Sequence, residues 1–437
     1  MATLPRALRP LRHAGYRRLA ATLLFSVLAE GVWTLAVVWQ VVELGGGPTD
    51  LSMVVGALAV GMVATALLGG VLADRLPQRR ILVGLGLGQA ASIGVVAGLS
   101  WAGWLTIPVL AAQAAIVGVS MGLFFPAYSA LVPSLVDTDD LLAVNGLEGA
   151  VRPIVLTGAG PALAGLLVVA LSPAAAIAAG AVSCAASLVA AWSLPRATGG
   201  RDRAGGGSPD DGSGHGASGP WRDLVDGFRY MLVTRWLFVT VVFASLMILF
   251  VLGPLEVLVP FAIIERTGGG PGGHSLVLLA HGVGGAVASL LVASMRLPRR
   301  YLTVMIVLWS LGCAPVVVFG LATTLWPMLI AGLLLGALFS APQVIWGTLL
   351  QRRVPRHLLG RVSSLDFFVS LALMPVSMAL AGPVSVAVGL TPVFLVAGLA
   401  PLVVGAAALL LGRLGPDEIA HPLDSPSLAG RLPAEAP

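Results

Sequence analysis

The sequence contains no lysine, and all 25 of its basic residues are arginine. That absence removes chemistry built on a lysine amine, such as a P-loop phosphate cradle or a Schiff base. Charge of either sign is scarce: 10% of the 437 residues, where a soluble globular protein carries roughly a quarter. Asparagine occurs once, at Asn145, which argues against sugar sites rich in amide hydrogen-bonders. The two cysteines, Cys184 and Cys313, lie inside apolar runs, so they read as buried thiols rather than a disulfide framework. No cluster with metal-ligand spacing and no nucleophile–base set stands out. Gly118-Val119-Ser120-Met121-Gly122 has the spacing of a hydrolase nucleophile elbow. It sits within an apolar run, where small residues serve helix packing instead. The net charge of +5 does not imply nucleic acid, because the arginines are spread over separate short loops.

Apolar residues fill what charge vacates: 57% of the chain is hydrophobic and the mean hydropathy is +0.96. Runs of about 20 apolar residues recur along the chain, each long enough to span a bilayer as a helix. The expected fold is an all-α integral membrane protein of 12 transmembrane helices, six on each side of a polar linker. Residues 1–18 hold Arg6, Arg9, Arg12, Arg17 and Arg18 without an acid. The run after them exceeds the ~7–15 apolar residues of a signal peptide, so it reads as a first span with a cytoplasmic amino terminus. Residues 19–194 form the first bundle and 236–412 the second. Between them, 195–235 is a cytoplasmic linker that turns at Pro220 into an amphipathic interfacial helix. Residues 413–437 read as a disordered cytoplasmic tail.

Three groups of residues carry the functional expectation. Glu30 and Glu256 lie inside spans, where an ionised carboxylate costs on the order of ~3 kcal/mol unless it faces a cavity, a partner or a proton. Trp33, Gln40, Gln113 and His281 are polar candidates for the same cavity. Glu148 and Arg152 stand four apart, so one helix face brings them together as a pair. Asp137, Asp139 and Asp140 suit caps and first-turn acids at the start of the fifth helix better than a metal cluster. The third group is the turn Gly70-Val71-Leu72-Ala73-Asp74-Arg75-Leu76-Pro77-Gln78-Arg79-Arg80. Arg296-Leu297-Pro298-Arg299-Arg300 repeats its basic part in the second half, with Met295 where Asp74 stood.

That turn resembles the signature loop of the major facilitator superfamily, between its second and third helices. Gly70, Leu72, Ala73, Asp74, Arg75 and Arg79 match it. Gly160-Pro161-Ala162-Leu163-Ala164-Gly165 resembles the fifth-helix element of facilitator antiporters, with Ala164 in place of a glycine. Ala29-Glu30-Gly31, Phe125-Pro126-Ala127 and Gly360-Arg361-Val362 are similar to the branch holding the enterobactin exporter and macrolide-efflux proteins. The resemblance implies two pseudo-symmetric bundles with Glu30 and Glu256 facing across a central cavity. It also implies a cytoplasmic gate of Gly70, Asp74, Arg75, Arg79 and Asp366, and a packing element of Glu148, Arg152, Gly160, Pro161 and Gly165. The arginine that many such antiporters carry on the fourth helix is absent, and Gln113 and Ala114 stand in its region. The function implied is proton-coupled export of lipophilic or cationic small molecules by a monomer in the plasma membrane, both termini cytoplasmic. No cofactor, metal or nucleic acid is implied. A proton-linked nutrient importer and a non-transporting membrane protein remain the alternatives.

Overall fold

A computed structural model of the chain describes residues 6–137, 140–195, 220–295 and 297–423. Among them, 12 helices are long and apolar enough to cross a membrane. The first six are α1 (Ala14–Glu43), α2 (Pro48–Ala66), α3 (Gln78–Trp101), α4 (Ile107–Ser134), α5 (Leu147–Ala170) and α6 (Pro173–Trp192). The second six are α7 (Arg235–Thr267), α8 (Pro271–Val292), α9 (Tyr301–Leu321), α10 (Leu325–Arg353), α11 (Arg361–Val388) and α12 (Leu390–Gly412). All regular structure among the described residues is helical. One end of the bundle is arginine-rich, with Arg79 and Arg80 in the first turn of α3 and Arg299 and Arg300 just before α9. The connections at the other end, at 44–47 and 322–324, hold no arginine.

Local chemistry sets the helix ends. Proline opens α2, α6 and α8, where a missing N–H is harmless. The Asp50 carboxylate accepts from the Gly47 N–H at 2.9 Å, and the Ser172 hydroxyl from the Ala175 N–H at 3.2 Å. Gly268 ends α7 at φ 64°, a left-handed conformation open to glycine. Two spans are interrupted by π-helix. Residues Ile154–Ala159 of α5 and Pro254–Leu258 of α7 wind as π-helix. Each lies beside prolines that withhold ladder donors: Pro153 and Pro161 in one case, Pro254 and Pro260 in the other.

Lipid supplies no hydrophobic drive between spans, so close approach through small residues holds the bundles together. The same device occurs in both halves. In α2 against α4, a methyl on Gly118 would lie 1.9 Å from the Leu58 carbonyl oxygen. In α8 against α10, a methyl on Gly336 would lie 1.9 Å from the His281 carbonyl oxygen.

The halves meet along two seams. In the first, α2 touches α11: the Gly382 N–H donates to the Ser52 hydroxyl at 2.7 Å, and a methyl on Gly382 would lie 2.2 Å from the Pro48 carbonyl oxygen. In the second, α5 touches α8, with Gly165 against Ser275 and Gly282 against Thr157. Ser52, Gly382, Gly165 and Ser275 all lie toward the arginine-poor end, so the halves are in tight contact there.

Two extramembrane elements differ from expectation. The helix Pro220–Val233 is present, but Gly227 and Met231 are buried, Gly227 against Leu365, while Phe228 and Leu232 are exposed. The expected interfacial helix is therefore divided between protein and surroundings. The tail expected to be disordered from Arg413 begins with a docked helix, α13 (Leu414–Ala420). Its Glu418 is 1% exposed and caps α9, accepting from the Leu302 and Thr303 N–H groups at 2.9 and 3.1 Å and from the Thr303 hydroxyl at 2.6 Å. Arg353 at the end of α10 pairs with Asp417 and lies over the Trp236 ring at 4.6 Å.

Candidate functional site

A cavity of about 280 Å³ lies between the two halves. Glu30, Trp33, Thr34, Val37 and Val38 of α1 line it from the first half. Leu252, Leu255, Glu256 and Val259 of α7 face them, with His274, Val277, Leu278 and His281 of α8 beside them. Met121, Phe319, Met374 and Met378 add apolar wall. On α1, Glu30 and Thr34 remain partly accessible while residues 31–33 and 35–41 are buried; Glu256 is exposed. The cavity therefore reaches both carboxylates.

Each acid is associated with a π-helical segment. Gly31, next to Glu30, abuts the π-helical segment of α5: a methyl there would lie 2.6 Å from the Leu156 carbonyl oxygen and 3.2 Å from the Gly160 Cα. Gly160, expected in a packing element, is thus the surface on which α1 rests. Glu256 itself belongs to the π-helical segment of α7. A π-turn rotates side chains out of their α-helical phase, and such turns are frequent at functional sites. Among the described residues neither acid forms an ion pair. Glu30 is within electrostatic reach of Arg152.

Other expected residues take different partners. Gln40 does not line the cavity. Its amide donates to Glu43 at 3.1 Å and its oxygen accepts from Ser100 at 2.9 Å, tying α1 to α3. Gln113 stands one layer behind the wall, where its oxygen accepts from the Trp33 indole N–H at 3.1 Å and holds that ring in place. The Glu148 carboxylate accepts from the Tyr128 hydroxyl at 2.6 Å, and the Arg152 guanidinium lies 3.8 Å from the centre of the Phe125 ring. Glu148 and Arg152 remain in electrostatic reach of each other, and Arg152 also reaches Glu30, while aromatic residues of α4 contact both. Pro161 lines the cavity and Gly165 meets Ser275 across the seam.

At the arginine-rich end, Arg79 donates to the Leu194 and Trp192 carbonyl oxygens at 2.9 and 2.5 Å, capping α6. Asp366 accepts from Trp346 at 2.9 Å and from Ser370 at 3.2 Å, within its own half. The side chains of Gly70, Asp74 and Arg75 lie outside the described residues. Arg12 donates to both Asp137 and Asp140 at 3.2 and 3.3 Å, and His13 is near both. These acids thus anchor the amino-terminal segment, and Asp140 makes no side-chain cap at its helix start.

His274 was not anticipated from the sequence. It stands seven residues before His281, hence on the same face of α8, and that spacing was the available signal.

Two six-helix bundles closing on a shared acidic cavity define a polytopic membrane transporter. The chain belongs to the transmembrane secretion effector family of the major facilitator superfamily, which it matches over residues 6–429. It is 27% identical to the multidrug efflux pump Tap of Mycolicibacterium fortuitum, over 88% of this chain and 92% of that one. It is 28% identical to the uncharacterized MFS-type transporter y4rN of Sinorhizobium fredii, over 90% and 93% of the two chains. The crystal structure of the nucleoside transporter NupG superposes with a TM-score of 0.66 at 13% identity, covering 91% of this chain and 98% of that one. That likeness is one of fold.

Proposed function

We propose that this transporter exports lipophilic, cationic small molecules in exchange for protons. The observation that carries the reading is the placement of Glu30 and Glu256, one from each half, on the wall of a single cavity that is otherwise mostly apolar. Apolar walls accept a greasy body and a carboxylate attracts a cationic head; either carboxylate can instead hold a proton. Proton and substrate then compete, and each biases a two-state equilibrium by its differential affinity. The name of the Mycolicibacterium relative supports the direction of transport. The arginine-rich end is the cytoplasmic one by the positive-inside rule, which puts both termini in the cytoplasm of a cell whose plasma membrane holds the protein. Tight contact of the halves at the arginine-poor end supports a state that loads from the cytoplasm. Release then requires the seams of α2 with α11 and of α5 with α8 to part. The transporter works as a monomer, with the cavity complete in one chain.

Inverted membrane vesicles test this. Addition of an energy source should drive uptake of a cationic dye, collapsed by a protonophore and abolished by Glu30→Gln at equal expression. Dye uptake indifferent to the protonophore would contradict the coupling.

A further inference from the structure

The cavity has two polar levels. The lower one is set by the π-helical segment of α5: Gly31, next to Glu30, rests on Leu156, and Gly282, next to His281, rests on Thr157. Glu30 and His281 therefore lie at one depth on opposite sides of α5. Glu256 faces the same space from α7. The upper level holds His274. Seven residues of α8 separate His274 from His281, a rise of about 10 Å toward the arginine-poor end. Val277 and Leu278 line the wall between them.

His274 is 4% exposed, and its Nδ1 has no hydrogen-bond partner. Its aromatic neighbour is Trp39, with ring centres 6.5 Å apart, and that indole N–H is likewise unpartnered. A buried imidazole nitrogen without a partner is unfavourable, and buried polar atoms in native proteins are nearly always satisfied. Its chain neighbour Ser275 closes the seam against Gly165, so His274 belongs to the same turn of α8 as that contact. The residue nonetheless forms part of the cavity wall.

We infer that His274 is a substrate-binding residue, and that the transported class is bipolar: a cation at one end and a hydroxyl or carbonyl about 10 Å away, joined by an apolar body. The cation sits at the level of Glu30 and Glu256, and the distal group hydrogen-bonds the imidazole. Either neutral tautomer serves, because the ring then has one donor and one acceptor nitrogen. This rests on the proposed export of cations and adds the second recognition point and its separation from the first.

The test uses two matched probes on the purified full-length protein. One is a linear alkyl trimethylammonium whose chain spans about 10 Å and ends in a hydroxyl; the other ends in a methyl group. Binding is followed by tryptophan fluorescence, Trp33 being in the cavity wall. In an apolar cavity a hydroxyl without a partner weakens binding, so the sign of the preference is diagnostic. Wild-type protein should bind the hydroxyl probe at least threefold more tightly. His274→Phe should reverse the preference between the two probes, and Glu256→Gln should weaken both. His274→Gln, which keeps hydrogen-bonding atoms, should retain a preference for the hydroxyl and serves if the phenylalanine variant does not fold. Equal or reversed affinities in wild-type protein would overturn the role of His274 while leaving cation transport standing. Absence of binding by either probe would overturn the cation reading and this inference with it.

Discussion

A single methyl at Gly382 should hold the transporter open at its arginine-poor end. In the structure that methyl would lie 2.2 Å from the Pro48 carbonyl oxygen and 2.7 Å from the Ser52 hydroxyl. Ordinary Cβ contacts begin at 3.4 Å, so α2 and α11 must separate locally by more than an ångström. The nearest atom is backbone, which no rotamer change removes. Overpacking of this kind costs about 1–3 kcal/mol, and losing the hydrogen bond from Gly382 to Ser52 costs about 1 kcal/mol more. A total of about 2–4 kcal/mol lowers the population of the sealed state by about 30- to 700-fold relative to one parted at this seam. The assay places a cysteine at Val55, which lines the cavity, after Cys184 and Cys313 have been replaced by serine. A membrane-impermeant maleimide is then applied from the side of the arginine-poor loops. Labelling should be slow in the parent and at least tenfold faster with Gly382→Ala. Gly84→Ala is the control, because a methyl there meets no atom within 4 Å. Equal labelling with and without Gly382→Ala would refute the reasoning that this contact seals the cavity.

Two further outcomes follow from the packing. Glu418→Ala leaves the Leu302 and Thr303 amides and the Thr303 hydroxyl without their acceptor, and hydrogen bonds to a charged group are worth about 1.5–3 kcal/mol each. It should lower the unfolding temperature by several degrees by tryptophan fluorescence, with Glu418→Gln falling between it and wild type. Trp33→Phe and Gln113→Leu should each weaken substrate binding, and the double variant should show coupling of about 1 kcal/mol in a double-mutant cycle. Additive effects would mean that Gln113 does not position the Trp33 ring.

Span number and order could be read from the chain because twenty apolar residues in a row have few other uses. Glu30 and Glu256 could be read for the complementary reason: an acid in such a run is costly and so faces a cavity, a partner or a proton. Rotational phase was not legible. These helices are apolar all round, so nothing in the sequence says which way Gln40 or Gln113 points. One turned toward α3 and Ser100, the other toward Trp33. The spacing of Glu148 and Arg152 put them on one face, but Tyr128 and Phe125 from α4 compete for both. The clustered prolines signalled a break in α7, but not that Glu256 would fall within the π-turn they produce. The docked tail was hidden because Glu418 finds its partners at Leu302 and Thr303, far off in sequence.

The central claim is that proton and substrate use the same acids in opposite directions. Proteoliposomes with an acidic lumen, fed a permanently charged fluorescent cation from outside, measure this directly. Wild-type protein should accumulate the cation while protons leave the lumen, and both fluxes should vanish with nigericin, with Glu30→Gln and in protein-free liposomes. Cation accumulation that persists in Glu30→Gln and Glu256→Gln, or proceeds without any movement of protons, would contradict the account.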